Sequence, residues 1–219
     1  AAELAQMWPV YHKVSGYTCN PTLMRKAGVT NYEVFARAAL KAIPDKPISF
    51  EVFSDDFDGM ERQARLISGW GKNVYVKIPI TDTKGQSSET LIAKLSKAGI
   101  KLNVTAVFTP KQIMDVSRHL TGAPAILSIF AGRIADTGID PIPICKFAKN
   151  VLTMNVEVLW ASTRELFNIK QAEEAGCDII TVTPDILKKM DLFGKDLAQY
   201  SLETVQMFYN DAKTAGYQL

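Results

Sequence analysis

Short β-branched runs recur along this chain, and a stretch of helical period follows each one. Strand candidates begin near Gly16, Ile48, Asn73, Lys101, Ala125, Val156 and Asp178. Between them lie helix-period segments at Val29 to Ile43, Phe57 to Trp70, Ser87 to Ala98, Pro110 to Leu120, Ile142 to Val151 and Glu165 to Ala175. Strict alternation builds parallel β-α units, because a parallel neighbour needs a crossover long enough to hold a helix. Seven such strands predict an α/β fold, a (β/α)8 TIM barrel that lacks one strand. The competing open, doubly wound sheet loses its usual reason, since no G-x-G-x-x-G follows the first strand.

Local punctuation agrees. Ser54-Asp55-Asp56 predicts a helix N-cap with an acidic first turn. Gly71, Gly99 and Gly176 each fall where a helix hands over to a strand, the position that favours a left-handed glycine. The tail is predicted as one further helix, Ser201 to Ala215, opened by Ser201-x-Glu203 and carrying Leu202, Val205, Met207, Phe208 and Tyr209. The expected organisation is one barrel domain over 1–219, with 199–219 docked on the barrel or on a neighbouring subunit.

Composition excludes several classes. Lys+Arg 25 against Asp+Glu 23 leaves a net charge of +2, with no basic excess for nucleic acid. No apolar run approaches the about 18 residues of a membrane-spanning helix. Glu3, Gln6 and Pro9 interrupt any apolar start, which argues against a signal peptide. Three scattered cysteines, Cys19, Cys145 and Cys177, indicate buried thiols in a reducing compartment, so a cytoplasmic location is expected. His12 and His119 lack clustered partners, so no metal site and no cofactor are expected.

Side chains alternate faces along a strand, so each run splits by parity. Ile48, Phe50 and Val52 oppose Ser49 and Glu51; Val74, Val76 and Ile78 oppose Tyr75 and Lys77. Leu102, Val104 and Ala106 oppose Asn103 and Thr105; Leu127 and Ile129 oppose Ser128 and Phe130. One face is apolar and suits the helices. The other gathers Thr18, Asn20, Glu51, Lys77, Asn103, Thr105, Ser128, Ser162 and Thr181, mostly in the later halves of the strands, toward the mouth where barrel sites lie. A single Ser or Thr there reads as a hydrogen-bonded core residue. A Lys and a Glu together do not, because charged side chains are rarely buried without purpose.

Lys77 carries the sharpest expectation. Apolar neighbours in a strand interior favour the neutral amine, a nucleophile that forms imines with carbonyl substrates. Glu51 would then move protons as the adjacent carbon–carbon bond breaks. The competing reading is a structural Lys77–Glu51 ion pair. Arg133 and Arg164, with Ser162, follow adjacent strands and suit a phosphate held by forked guanidinium groups; surface ion pairs are the alternative.

These segments resemble the transaldolase family. Gly16-Tyr17-Thr18-Cys19-Asn20-Pro21-Thr22-Leu23 is similar to its first signature, G-[IVF]-T-T-N-P-[ST]-L, with Cys19 in place of the second Thr. Asn73-Val74-Tyr75-Val76-Lys77-Ile78-Pro79 resembles the segment around its Schiff-base lysine. The likeness continues through Asn103-Val104-Thr105, Ser128-Ile129-Phe130-Ala131-Gly132-Arg133-Ile134 and Ala161-Ser162-Thr163-Arg164. It spans essentially the whole chain, and short length with a single extra C-terminal helix places it near the small branch that includes the fructose-6-phosphate aldolases.

The resemblance implies roles. Lys77 carries a dihydroxyacetone unit as an imine, and Glu51 acts as acid and base through a water held with Thr105. Asn20 and Asn103 hold substrate hydroxyls and the imine, with Thr18 on the same face as Asn20. Ser128 contacts the donor's hydroxyl end, and Arg133, Ser162 and Arg164 bind the sugar phosphate. Close aldolase relatives tend to carry Gln where Glu51 stands and Tyr where Phe130 stands. Glu with Phe is the transaldolase-like combination. The family's first strand carries an Asp, and its position falls ahead of Ala1.

The expected activity is therefore ketol transfer from fructose 6-phosphate or sedoheptulose 7-phosphate to an aldose phosphate, in the pentose phosphate pathway. The alternatives are a fructose-6-phosphate aldolase-type lyase and a non-catalytic barrel that binds sugar phosphates. The family's small members further imply a homo-oligomer, a decamer, with the C-terminal helix in the contact, and no nucleic-acid or membrane partner.

Overall fold

A computed structural model describes residues 14–219. His12 and the interrupted apolar start at Glu3, Gln6 and Pro9 lie outside the described residues. The chain divides into a unit ending at Val182 and a second from Thr183 to Leu219.

In the first unit, β1 (Tyr17–Thr18), β2 (Ile48–Glu51), β3 (Val74–Pro79), β4 (Leu102–Val107), β5 (Ala125–Ile129), β6 (Val156–Trp160) and β7 (Ile179–Ile180) pair side by side in chain order. Every pairing is parallel. The helices α1 (Pro21–Lys26), α2 (Tyr32–Ala42), α3 (Phe57–Ser68), α4 (Glu89–Lys97), α5 (Pro110–Ser117), α6 (Ala131–Asp136), α7 (Ile142–Val151) and α8 (Asn168–Glu174) fill the crossovers. This is the curled parallel sheet of a β/α barrel, with seven strands among the described residues.

The parity split places the core. Ile48, Phe50 and Val52, Val74, Val76 and Ile78, and Leu102 and Val104 are buried in one cluster with helix residues such as Ala36, Met60, Ile67, Ile92 and Val116. Each Val, Leu, Ile, Phe or Met among them contributes about 1.5–3 kcal/mol when taken from water, so this cluster fixes the strands' outward face. A second, smaller cluster joins Ile126, Leu159 and Ala161 with Tyr75, Phe130 and Ile179. These share the other strand face and form the apolar part of the interior.

The caps are set locally. Asp56 accepts from the Gly59 N–H at 2.6 Å and starts α3. Thr109 and Gln112 cap each other's backbone at the start of α5. Gly99 and Gly176 take positive φ, 77° and 72°, as expected for residues that end a helix. Gly71 does not. The preceding helix closes at Gly69, in right-handed geometry, with bonds to Leu66 and Ile67. Cys145 is buried, Cys19 and Cys177 are half-buried, and all three are free thiols. His119 bonds the Glu89 carboxylate at 2.7 Å.

In the second unit α9 (Pro184–Leu187) precedes α10 (Leu197–Ala215). The tail helix starts ahead of Ser201 because Asp196 caps it, accepting from the Gln199 N–H at 2.8 Å. It ends at Gly216, with φ 69°. Among the described residues, no helix is long and apolar enough to cross a membrane.

Candidate active site

Register lines up the first group. Glu51 pairs with Lys77 across β2 and β3, and Lys77 pairs with Asn103 across β3 and β4. Register partners in a parallel sheet point to the same face, about 4.8 Å apart. Glu51, Lys77 and Asn103 therefore form one row inside the sheet's curve. Lys77 is 7% exposed. Its Nζ lies 3.1 Å from Glu51 Oε2 and donates to the Cys19 carbonyl at 3.2 Å. Burial pushes the Cys19 thiol up to about 11, so beside Lys77 it remains a neutral thiol at physiological pH.

Asn103 anchors a second chain of contacts. Its Nδ2 donates to Ser49 Oγ at 3.1 Å, and its Oδ1 accepts from Ser128 Oγ at 2.7 Å. All three are buried. Their mutual bonding satisfies polar groups that would otherwise cost about 1–3 kcal/mol each. Thr105 is also buried, and its hydroxyl has no hydrogen-bond partner among the described residues. It sits on a break in β4, where register shifts between Val104 and Val107 and Ala106 takes φ 59°. A left-handed non-glycine residue is strained, and a bulge re-aims the side chains beside it.

The mouth holds the third group. Phe130 follows β5 on the face of Ser128, and the Arg133 guanidinium lies 5.3 Å from its ring centre. Arg164 is engaged by Asp136, with Nε 3.0 Å from Oδ2. Ser162 has φ 65°, another strained non-glycine residue. Gly132 explains how α6 and the loop after β6 meet. Its N–H donates to the Ala161 carbonyl at 3.2 Å, and a Cβ there would fall 1.8 Å from the Ser162 carbonyl oxygen. Only glycine permits that approach. Gly132→Ala is expected to destabilise the protein by about 1–3 kcal/mol or more through overpacking. Thermal melts check this.

The remaining two residues lie on the β1 side. Thr18 is exposed, with its hydroxyl 3.5 Å from the Cys19 carbonyl. Asn20 caps α1, accepting from the Leu23 N–H at 2.8 Å. Its carboxamide oxygen thus already has a structural bond. Contacts join Lys77 to Glu51, Asn103 to Ser128, and Phe130 to Arg133. Arg164 meets Asp136 in an exposed ion pair, the alternative the sequence left open for it, with a partner the sequence did not name. Ser49 was visible by parity on the face of Glu51, but its bond to Asn103 was not. Asn168, buried behind the mouth, accepts from the Arg164 and Glu165 N–H groups at 2.8 and 3.2 Å, and no sequence signal marked it.

A parallel β/α-barrel sheet with a lysine–carboxylate pair on its inner face defines the class. Comparison with known proteins identifies the family. The chain belongs to the transaldolase/fructose-6-phosphate aldolase family, whose model matches residues 3–219. It is 36% identical over 180 residues to "Probable transaldolase 2" of Listeria monocytogenes, covering 81% of this chain and 78% of that one. It is 37% identical over 180 residues to "Probable transaldolase" of Thermoanaerobacter sp., covering 81% and 79%. With "Probable transaldolase" of Methanococcus maripaludis it shares 35% over 193 residues, covering 87% and 85%. Among solved structures it is similar to dihydrodipicolinate synthase from Rhodopseudomonas palustris, with TM-score 0.53, 15% identity and coverage of 92% and 72%. That likeness concerns the fold alone.

Proposed function

We propose that the protein is a transaldolase. The observation that carries this reading is Lys77, 7% exposed in a strand interior and held between the Glu51 carboxylate and the Cys19 carbonyl. The Lys77 amine attacks the C2 carbonyl of a ketose phosphate and, with loss of water, forms an imine. Glu51, through a water held with Thr105, takes the proton from the C4 hydroxyl. The C3–C4 bond then breaks, an aldose phosphate leaves, and its bonding electrons pass into the imine as an enamine. The enamine attacks the aldehyde of a second aldose phosphate, which takes up a proton at its new hydroxyl. Water then hydrolyses the imine and frees Lys77.

Asn103 orients the imine, and Ser128 meets the hydroxyl end of the donor. Thr18 and the remaining capacity of Asn20 serve substrate hydroxyls. Arg133, Ser162 and the donors of Arg164 left over from Asp136 bind the phosphate, since a guanidinium carries five N–H groups. Fructose 6-phosphate and sedoheptulose 7-phosphate are the proposed donors, in the pentose phosphate pathway of the cytoplasm. No cofactor enters these steps. Glu at 51 and Phe at 130 favour transfer over release.

Acceptor dependence tests the reading. Release of glyceraldehyde 3-phosphate from fructose 6-phosphate is expected to require erythrose 4-phosphate. Release that is as fast without it identifies an aldolase-type lyase instead. The protein is proposed to be one barrel domain and a homo-oligomer, a decamer, with Leu202 to Tyr209 in the contact. Light scattering that finds a monomer overturns the assembly.

A further inference from the structure

Strand β1 stops short of Glu51, and a side chain takes its place. Parallel strands bond their neighbours in steps of two residues. Between β1 and β2 the steps are Tyr17 N–H to the Pro47 carbonyl at 2.9 Å and Cys19 N–H to the Ser49 carbonyl at 3.2 Å. On the other side, the Ile48 and Val52 N–H groups donate to the Asn73 and Lys77 carbonyls. The N–H and C=O of Glu51 therefore face β1. The next bond in that series needs an N–H at residue 21 to reach the Glu51 carbonyl. Residue 21 is proline, which has none. The reciprocal bond would take the Glu51 N–H to the Cys19 carbonyl, but that carbonyl accepts from Lys77 Nζ.

Tyr32, near the start of α2, satisfies both groups. Its hydroxyl accepts the Glu51 N–H at 2.8 Å and donates to the Glu51 carbonyl at 2.9 Å. The ring is fixed by Phe50, Phe53 and Trp70, with centres 6.3, 5.5 and 6.0 Å away. Burial pushes the phenol well above its ordinary value, so it stays a neutral hydroxyl that donates and accepts at once.

We propose that Tyr32 is a positioning residue for the reaction. Its hydroxyl replaces β1 as the backbone partner of Glu51, holds the carboxylate against Lys77, and leaves the Cys19 carbonyl to orient the Lys77 amine. The inference rests on the reading of Lys77 and Glu51 given above.

Tyr32→Phe tests it, because the ring stays and one oxygen goes. With fructose 6-phosphate as probe, kcat and the rate of borohydride-trapped adduct formation are expected to fall roughly 10- to 100-fold, as for lost supporting contacts and small misplacements. KM should stay near the wild-type value. Trp70→Phe trims the same aromatic cluster without touching Glu51 or Lys77, and should keep wild-type kcat. Equal losses in both variants would mean general loosening and overturn the inference. A wild type that traps nothing at Lys77 overturns the site reading, and the inference with it. A wild type that traps at Lys77 while Tyr32→Phe traps equally fast overturns the inference alone. If Tyr32→Phe does not fold, amide exchange in the wild type decides. The Glu51 N–H should exchange as slowly as the ladder amide of Cys19, and exchange as fast as an unbonded amide overturns the proposal.

Discussion

Lys77→Met is expected to abolish the borohydride-trapped adduct with fructose 6-phosphate and to lower turnover by about 10⁴-fold or more, the scale of losing a nucleophile. Methionine keeps the unbranched stem, so the strand interior should hold its packing. The carboxylate left behind is the remaining stability cost. Glu51 loses its 3.1 Å partner, which costs about 1–3 kcal/mol for a group left unsatisfied where water is scarce. The Glu51 side chain is 18% exposed, so water at the mouth relieves part of that. Intact mass after borohydride treatment, followed by peptide mapping, reads the outcome. An adduct of undiminished yield on the variant would remove Lys77 from the chemistry and return its pairing with Glu51 to a structural role.

Glu51→Ala is expected to separate two steps that the lysine variant removes together. Proton transfer by a placed carboxylate contributes about 10²–10⁴-fold, and kcat should fall within that range. The adduct at Lys77 should still form, since the amine and the Cys19 carbonyl remain. Slow turnover with a trappable imine is therefore the signature. Turnover close to wild type would exclude Glu51 as the acid and base. Loss of the adduct itself would show that Glu51 serves mainly to hold Lys77 in place.

Both expectations trace to the strand period of two, which made the site's inner row legible in advance. In Val74 to Ile78, the alternation left Tyr75 and Lys77 on one face whatever the neighbouring strands did. The same held for Ser49 and Glu51, and for Asn103 and Thr105. The helix caps were legible for a similar reason. Asp56 bonds a backbone N–H three residues away, so nothing beyond the local sequence is needed. The tail helix shows the limit of that reasoning. Ser201-x-Glu203 looked like a start, but Asp196 is also a good cap and leaves Leu197 to Tyr200 helical. Gly71 failed as a helix end because α3 closed two residues earlier, at Gly69.

Outside the break in β4, the sequence by itself determined which face each strand residue occupies and hence which residues share the interior. It also carried the family motifs. Those properties depend on backbone period and on neighbours a few residues apart. Only the tertiary structure decided which interior residues touch. The Asn103–Ser49–Ser128 bonds depend on how far one strand slides against the next. The Arg164–Asp136 pair depends on α6 meeting the loop after β6 at Gly132, where a single Cβ would keep them apart. The Tyr32 hydroxyl meets the Glu51 backbone where β1 has ended and Pro21 has no N–H to give. Each of these is set by strand register and loop closure across many residues of chain, and no local period encodes them.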